Sequence, residues 1–361
     1  MNRKKGAKLK ERTELLYGIQ PVLGALQHNK RLLNQLYLKK DADSSKRLRE
    51  IRILAEKIKL PVSEVTVSQL MVMCPDAVHQ GVVLRCGFLP FTSIPDFPQS
   101  AVGTQPLLVV LDQIEDPHNL GAIIRTCGFF EVNAVVVTQD HSSGLTPVAS
   151  KASAGVLEWL PVISVTNLAR FLNEQKTKGF WVAGLEGEAP DCFTDFSRDR
   201  PLILVLGNEG RGIRRLVRKN CDWLVSIPGN REFTSLNVSN AVVVTQDHTS
   251  GLTPVASKAS AVVLEWLPVI SVTNLARFLN EQKTKGFWVA GLEGGAPDCF
   301  TDFSRDRPLI LVLGNEGRGI RRLVRKHCDW LVSIPGNHEV SSLNVSNAAA
   351  VALYHLHTLP Q

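Results

Sequence analysis

Residues 134–240 recur almost letter for letter as residues 241–347, and no other feature of this 361-residue chain constrains its fold so tightly. Each copy is 107 residues long, and the differences between the first and the second number seven: Ser142/Thr249, Gly155/Val262, Glu188/Gly295, Asn220/His327, Arg231/His338, Phe233/Val340 and Thr234/Ser341. Solenoid repeats are shorter, more divergent and more numerous, so this is a recent tandem duplication or an assembly artefact of the sequence, and not a repeat architecture. Removing one copy leaves 254 residues (361 less 107), an ordinary length for two domains. Only one copy can complete a sheet that also needs the residues before the repeat. The other must dangle, pack as a partial domain or exchange with a second chain.

Composition excludes several classes. At 44% hydrophobic and 21% charged residues the chain can bury a full core, which argues against wholesale disorder. No run approaches 18 consecutive apolar residues, so no membrane-spanning helix and no membrane partner are expected. The seven cysteines form no CxxC pair and no His/Cys ligand spacing, and their number is odd; reduced thiols and no metal site are expected. Lys and Arg outnumber Asp and Glu by 41 to 34, and the excess is concentrated before residue 53, which favours a polyanionic partner.

The expected organisation is a basic arm (1–12), a small α/β module (13–88), a Pro- and Ser-bearing linker (89–105) and an α/β domain (106–361) that contains both repeats. In the module, Leu15, Leu16, Ile19, Val22, Leu23 and Leu26 predict one helix, residues 45–60 a charged helix, and 62–67 and 81–84 strands. From 106 on, short β-branched runs alternate with helical stretches, the pattern of βα units around a parallel sheet.

Three motifs carry chemistry. The first, Asp116-Pro117-His118-Asn119-Leu120-Gly121 with Arg125, follows the strand-like run Leu107–Leu111. It opens a helix at the sheet edge where α/β proteins bind ligands, with Asn119 near the N-cap and His118 in the loop. The second, Leu206-Gly207-Asn208-Glu209-Gly210-Arg211-Gly212, is repeated from Leu313 as Gly314-Asn315-Glu316. It is a glycine-bearing turn after a buried strand, and neither copy has the GxGxxG or GK[ST] pattern of a nucleotide loop. The third, Ile227-Pro228-Gly229 then Ser235-Leu236-Asn237-Val238, recurs as Ile334-Pro335-Gly336 then Ser342-Leu343-Asn344-Val345; Ser and Asn there also read as a capped helix start. Only the second occurrence continues as a plausible helix (348–356). The first runs into the strand-like residues 242–245, so the two cannot be structurally equivalent.

In this order, NxGxxxR, LGNEGxG and IPG…SLNVSxA, the chain resembles the SpoU (TrmH-like) family of RNA ribose 2′-O-methyltransferases. Tyr17-Gly18, Val22, Ala25-Leu26 and His79-Gln80-Gly81 resemble that family's small substrate-binding domain. The resemblance implies a trefoil-knotted α/β domain, S-adenosyl-L-methionine as cofactor, rRNA of the large ribosomal subunit as partner with a guanosine as target, a homodimer, and a mitochondrial location, with the cytoplasm as the alternative. It further implies cofactor contacts at Gly207, Ile227 and Leu236, or equivalently Gly314, Ile334 and Leu343. Catalytic candidates by the same route are Asn119, Arg125, Glu209 or Glu316, Ser235 or Ser342, and Asn237 or Asn344.

The repeats divide these residues unevenly. The first repeat keeps Gly155 and is contiguous with Arg125, and it is expected to carry the cofactor loop beside the first motif. The second repeat holds the terminal helix. Two rivals stand beside a methyltransferase: an RNA-binding pseudoenzyme whose knot the duplication spoils, and a nicotinamide dehydrogenase, which the missing fingerprint disfavours.

Overall fold

The computed structural model describes residues 13–93, 105–140, 142–187, 189, 191–192, 200–208, 210–227, 242–245, 269–302, 308–315, 319–337, 340 and 343–358. It divides into two compact units, Met1–Ile227 and Pro228–Gln361.

The first unit opens with the N-terminal module: β1 (Thr13–Tyr17), α1 (Ile19–His28), β2 (Leu33–Lys39), α2 (Lys46–Lys57), β3 (Val62–Val65), α3 (Val67–Met73) and β4 (Val82–Gly87). Its strands form a sheet in the order β1-β4-β2-β3. Leu15 and Leu16 belong to strand β1, paired to β4, and not to the helix their spacing suggested. At Gly18 the backbone takes φ 94, which ends the strand and lets the helix begin one residue later. Leu48, Ile51 and Ala55 recur along one face of α2 and are buried with Leu16, Val22, Leu36 and Leu84 in the module's core.

The larger domain comprises β5 (Leu107–Leu111), α4 (Pro117–Phe129), β6 (Ala134–Thr138), α5 (Pro147–Ala152), β7 (Val162–Val165), α6 (Leu168–Lys176), β8 (Trp181–Leu185), β9 (Asp191–Cys192), β10 (Leu202–Leu206), α7 (Arg215–Arg218) and β11 (Trp223–Ser226). All pairings within its seven-stranded sheet, β7-β6-β5-β10-β8-β11-β9, are parallel. Continuous apolar strands such as LLVVL and AVVVT suit a sheet covered on both faces. The segment expected as linker is shorter than its composition suggested, because the Thr92 amide donates to the Val162 carbonyl and Thr92 bridges Ile163 at the edge of this sheet.

Helix α4 lies so close to α5 and the turn after it that only glycine fits at two places one heptad apart. A Cβ on Gly121 would stand 2.5 Å from the Ala152 Cβ, and one on Gly128 2.5 Å from Val156 Cγ1. The opposite side of the same segment meets the module. Arg31 donates through Nε and a terminal nitrogen to both Glu158 oxygens at 2.6 and 2.8 Å, and also reaches Glu14; Ser150 donates to Glu158 at 2.6 Å. Burial works against the Arg31 charge, but its hydrogen bonds and attraction to Glu158 outweigh this and hold the guanidinium more firmly protonated than in water. Burial also raises the Glu14 carboxyl, with Arg31 working against that rise.

In the second unit the repeated sequence builds β12 (Val242–Thr245), β13 (Val269–Val272), α8 (Leu275–Lys283), β14 (Trp288–Leu292), β15 (Asp298–Cys299), β16 (Leu309–Leu313), α9 (Arg322–Arg325), β17 (Trp330–Ser333) and α10 (Val345–Thr358). Here the sheet is in two pieces, β12-β13 and β15-β17-β14-β16. The break falls where the sheet of the first unit holds β5, a strand that precedes the first repeat and has no second copy in the sequence. A partial domain is therefore the outcome for the second repeat. Among the described residues, it alone carries the terminal helix: Ala352 and Leu356 of α10 bury against Ala290, Phe300 and Val332. The connection between β11 and β12, where a knot crossing would begin, lies outside the described residues.

Candidate functional site

The C-terminal ends of β5 and β10 are adjacent, with Leu111 opposite Leu206 in parallel register. The segments leaving these two strands therefore meet at one edge, about 4.8 Å apart at the strand ends. After β5 comes Asp112, fully buried, whose amide donates to the Leu206 carbonyl at 2.8 Å. Its carboxylate accepts from the Arg214 amide at 2.8 Å and from Arg214 Nε at 2.7 Å. An amide bond to a charged acceptor is worth about 1.5–3 kcal/mol, so Asp112 ties the far end of the second motif to the strand that precedes the first. Asn208 makes a second tie, donating from Nδ2 to the Gln113 carbonyl at 2.9 Å.

The loop after β10 is closed on itself. Asn208 and Gly212 exchange backbone hydrogen bonds of 3.1 and 2.8 Å, and Asn208 Oδ1 accepts from the amides of Gly210 and Arg211. Gly207 starts this turn, and a Cβ there would fall inside the van der Waals envelope of Gly212 and Ile213. Glu186, after the neighbouring strand β8, holds Arg218 at 2.8 Å. Ile227 follows β11, two strands from β10 and so roughly 10 Å away, with 42% of its surface exposed. Gly207, Glu186 and Ile227 thus form one continuous stretch of the sheet edge.

The first motif lies at the same edge. Asp116 is the N-cap of α4, accepting from the His118 amide at 2.8 Å, and Pro117 is the first helical residue. His118 is consequently a first-turn helical residue, exposed, where a loop was expected; Asn119 lies three positions after the cap, in the first turn. Proline at the first position needs no amide hydrogen bond, which is why the helix starts that early. Arg125 is buried, at 6% exposure. Six residues separate it from Asn119, about 9 Å along the axis and roughly 120° around it. Arg125 shares its helix face with Gly121 and Gly128, toward α5. Asn119 and Arg125 thus leave α4 on different faces.

In the second unit the loop after β16 keeps its own internal bonds, Asn315 to Gly319 at 3.1 and 2.8 Å. A Cβ on Gly314 would meet Gly319 and Ile320 just as closely as in the first repeat. The difference lies in what surrounds the loop: β16 is an edge strand, and Asp112, which anchors the first loop, occurs once. Ile334 is half-buried and Leu343 buried. Asn344 Oδ1 accepts from the Ser346 amide at 2.8 Å, so Asn344 caps α10. Glu209, Ser235, Leu236, Asn237, Glu316 and Ser342 lie outside the described residues.

Sequence reasoning passed over Asp112, Arg214 and Glu186. The available signal was position: each directly follows a strand or the loop that a strand carries. Among the described residues, no three His, Cys, Asp or Glu side chains gather as a metal-binding group, and no helix is long and apolar enough to cross a membrane.

Comparison with known proteins agrees with this architecture. Residues 106–246 and, separately, 242–354 match the model of the SpoU rRNA Methylase family, and residues 15–92 match that for RNA 2'-O ribose methyltransferase substrate binding. The chain is 37% identical over 237 residues to the 23S rRNA (guanosine-2'-O-)-methyltransferase RlmB of Pseudomonas putida, covering 64% of this chain and 93% of that protein. Its counterpart in Haemophilus influenzae is 38% identical over 234 residues, covering 64% and 95%. Such an imbalance is expected when one of two near-identical repeats has no counterpart. Among solved structures, the SpoU methyltransferase AviRb from Streptomyces viridochromogenes in complex with the cofactor AdoMet shares the fold, with a TM-score of 0.53, 24% identity, and coverage of 64% of this chain and 88% of that one.

Proposed function

Because the chain belongs to the SpoU rRNA Methylase family, we propose that it methylates the ribose 2′-oxygen of a guanosine in large-subunit rRNA, with S-adenosyl-L-methionine as cofactor. The observation that carries this reading is the pairing of β5 with β10. It opens the helix of the first motif and the glycine-bearing loop of the second from neighbouring strand ends of one unit. The residue types there fit the cofactor: Gly207 lets the loop close tightly against Gly212 and Ile213 at the end of β10, and Ile227 offers apolar surface two strands away. Gly207, Ile227 and Leu236 would hold it in the first repeat; Gly314, Ile334 and Leu343 are their equivalents in the second.

When bound, S-adenosyl-L-methionine supplies an electrophilic methyl group on a sulfonium. The chain's own task is placement, because in-line displacement demands the 2′-oxygen behind that methyl, and such positioning is worth up to about 7–11 kcal/mol. Arg125 stays protonated and so is unsuited to take the hydroxyl proton. Its role in this reading is to hold the target phosphate and stabilise developing alkoxide, while Asn119, Glu209, Ser235 and Asn237, or their second-repeat equivalents Glu316, Ser342 and Asn344, orient the hydroxyl. The N-terminal module contributes contacts to RNA shape and phosphate, since one ribose hydroxyl carries no sequence information. By the family resemblance the same reading includes a homodimer and a mitochondrial location, with the cytoplasm as the alternative. The pseudoenzyme alternative finds no support in the intact β5–β10 edge.

The test is nucleoside mass spectrometry of rRNA incubated with the full chain and S-adenosyl-L-methionine. Accumulation of 2′-O-methylguanosine is expected, and methyl on a base or on no nucleoside would refute the reading. Within that assay, Gly207→Ala is expected to lower the rate by at least about a hundredfold, roughly 2.7 kcal/mol, and Gly314→Ala to stay within about twofold of the parent.

A further inference from the structure

We propose that Gly155 commits the N-terminal module to the first repeat, and that valine at position 262 denies the module the second. The seat is formed by α5 and the turn after it. Lys151 Nζ donates to Gln80 Oε1 at 2.8 Å, Lys30 Nζ to the Trp159 carbonyl at 2.5 Å, and Arg31 to Glu158. Every one of these repeat residues has an identical counterpart in the second repeat: Lys258, Glu265 and Trp266. Polar recognition therefore cannot tell the repeats apart.

One of the seven differences falls in the seat, and it falls at its tightest point. Gly155 has φ +85, and a Cβ there would stand 2.6 Å from the Gln20 carbonyl oxygen and 2.9 Å from its carbon. Both atoms are backbone and cannot swing aside. From the module's side, a Cβ on Gly24 would come within 3.0 Å of the Gly155 carbonyl oxygen and 3.2 Å of Glu158 Cβ. Two segments thus touch backbone to backbone. A β-branched residue is excluded twice over at position 155, by its backbone angle and by the clash.

The consequence for RNA delivery extends the methyltransferase reading and rests on it. The opposite side of the seat packs against Gly121 and Gly128 of α4, the helix that carries Asn119 and Arg125. RNA gripped by the module is delivered beside that single-copy helix.

Hydrogen exchange read by mass spectrometry on the full chain tests this without reference to methyl transfer, so failure of the chemical reading would leave the result standing. Gly155→Val is expected to speed exchange at least tenfold in residues 19–28 and 147–158 while β8 and β10 exchange as in the parent. Gly24→Leu, which favours helix α1 by propensity, is expected to do the same from the module's side. Should β8 and β10 also lose protection in Gly155→Val, Gly24→Leu decides alone. Moving the glycine, as Gly155→Val with Val262→Gly, is expected to return slow exchange to 19–28. Parent-like exchange at 19–28 in both single variants overturns the proposal, as does failure of the glycine transfer to restore it.

Discussion

Replacing Arg125 by alanine is expected to lower the methyl-transfer rate by about 10²–10³, or 2.7–4 kcal/mol, the range found when one preorganised donor to developing charge is removed. Cofactor affinity should change by less than about threefold, because Gly207 and Ile227 leave different strands from the helix that carries Arg125. Lysine is no substitute in this account, since it offers a point charge where a planar fork can grip phosphate and alkoxide together. Steady-state rates with rRNA, alongside calorimetric affinities for cofactor and RNA, separate these effects. An Arg125→Lys enzyme with full turnover and parental RNA affinity would show that the guanidinium geometry has no part in the reaction.

Arg31→Ala is expected to cost about 3–5 kcal/mol, the usual penalty for stranding one partner of a buried ion pair. Both side chains of the Arg31–Glu158 pair are fully buried. Without Arg31, Glu158 keeps Ser150 as its remaining hydrogen-bond donor in the described network. In a unit of this size the loss corresponds to a fall of roughly 6–20 °C in the unfolding midpoint. The surface pair Arg170–Glu174, with side chains 80% and 48% exposed, provides the control; Arg170→Ala should cost about 0.3–0.5 kcal/mol. Calorimetric scans of the three proteins make the comparison, and a shift below 2 °C for Arg31→Ala would mean that the module is not held by this pair.

The alternating β-branched runs and helical stretches after residue 106 made the parallel sheet legible, since each strand's identity depends on its own few residues. Leu15 and Leu16 misled because their apolar spacing with Ile19 also fits a helix face, and only pairing with β4 makes them a strand. His118 sits inside α4 where a loop was expected, because the capping residue is Asp116 and the proline behind it is already helical. The Asp112–Arg214 tie spans 102 positions and the Arg31–Glu158 pair 127. No periodicity reports such partners. The duplication foretold that one repeat would lack a strand, but the place of the break in the second sheet follows from β5 lying between β6 and β10. The capped helix start that Ser and Asn also suggested is present at Asn344, whose Oδ1 accepts from the Ser346 amide at the start of α10.

Titrating S-adenosyl-L-methionine into the full chain by isothermal calorimetry addresses the claim on which the rest depends, that one composite edge is assembled from β5 and the first repeat. A single site per chain is predicted, abolished by Gly207→Ala and retained in Gly314→Ala. Two sites per chain, or loss of binding in Gly314→Ala with Gly207→Ala unaffected, would contradict it.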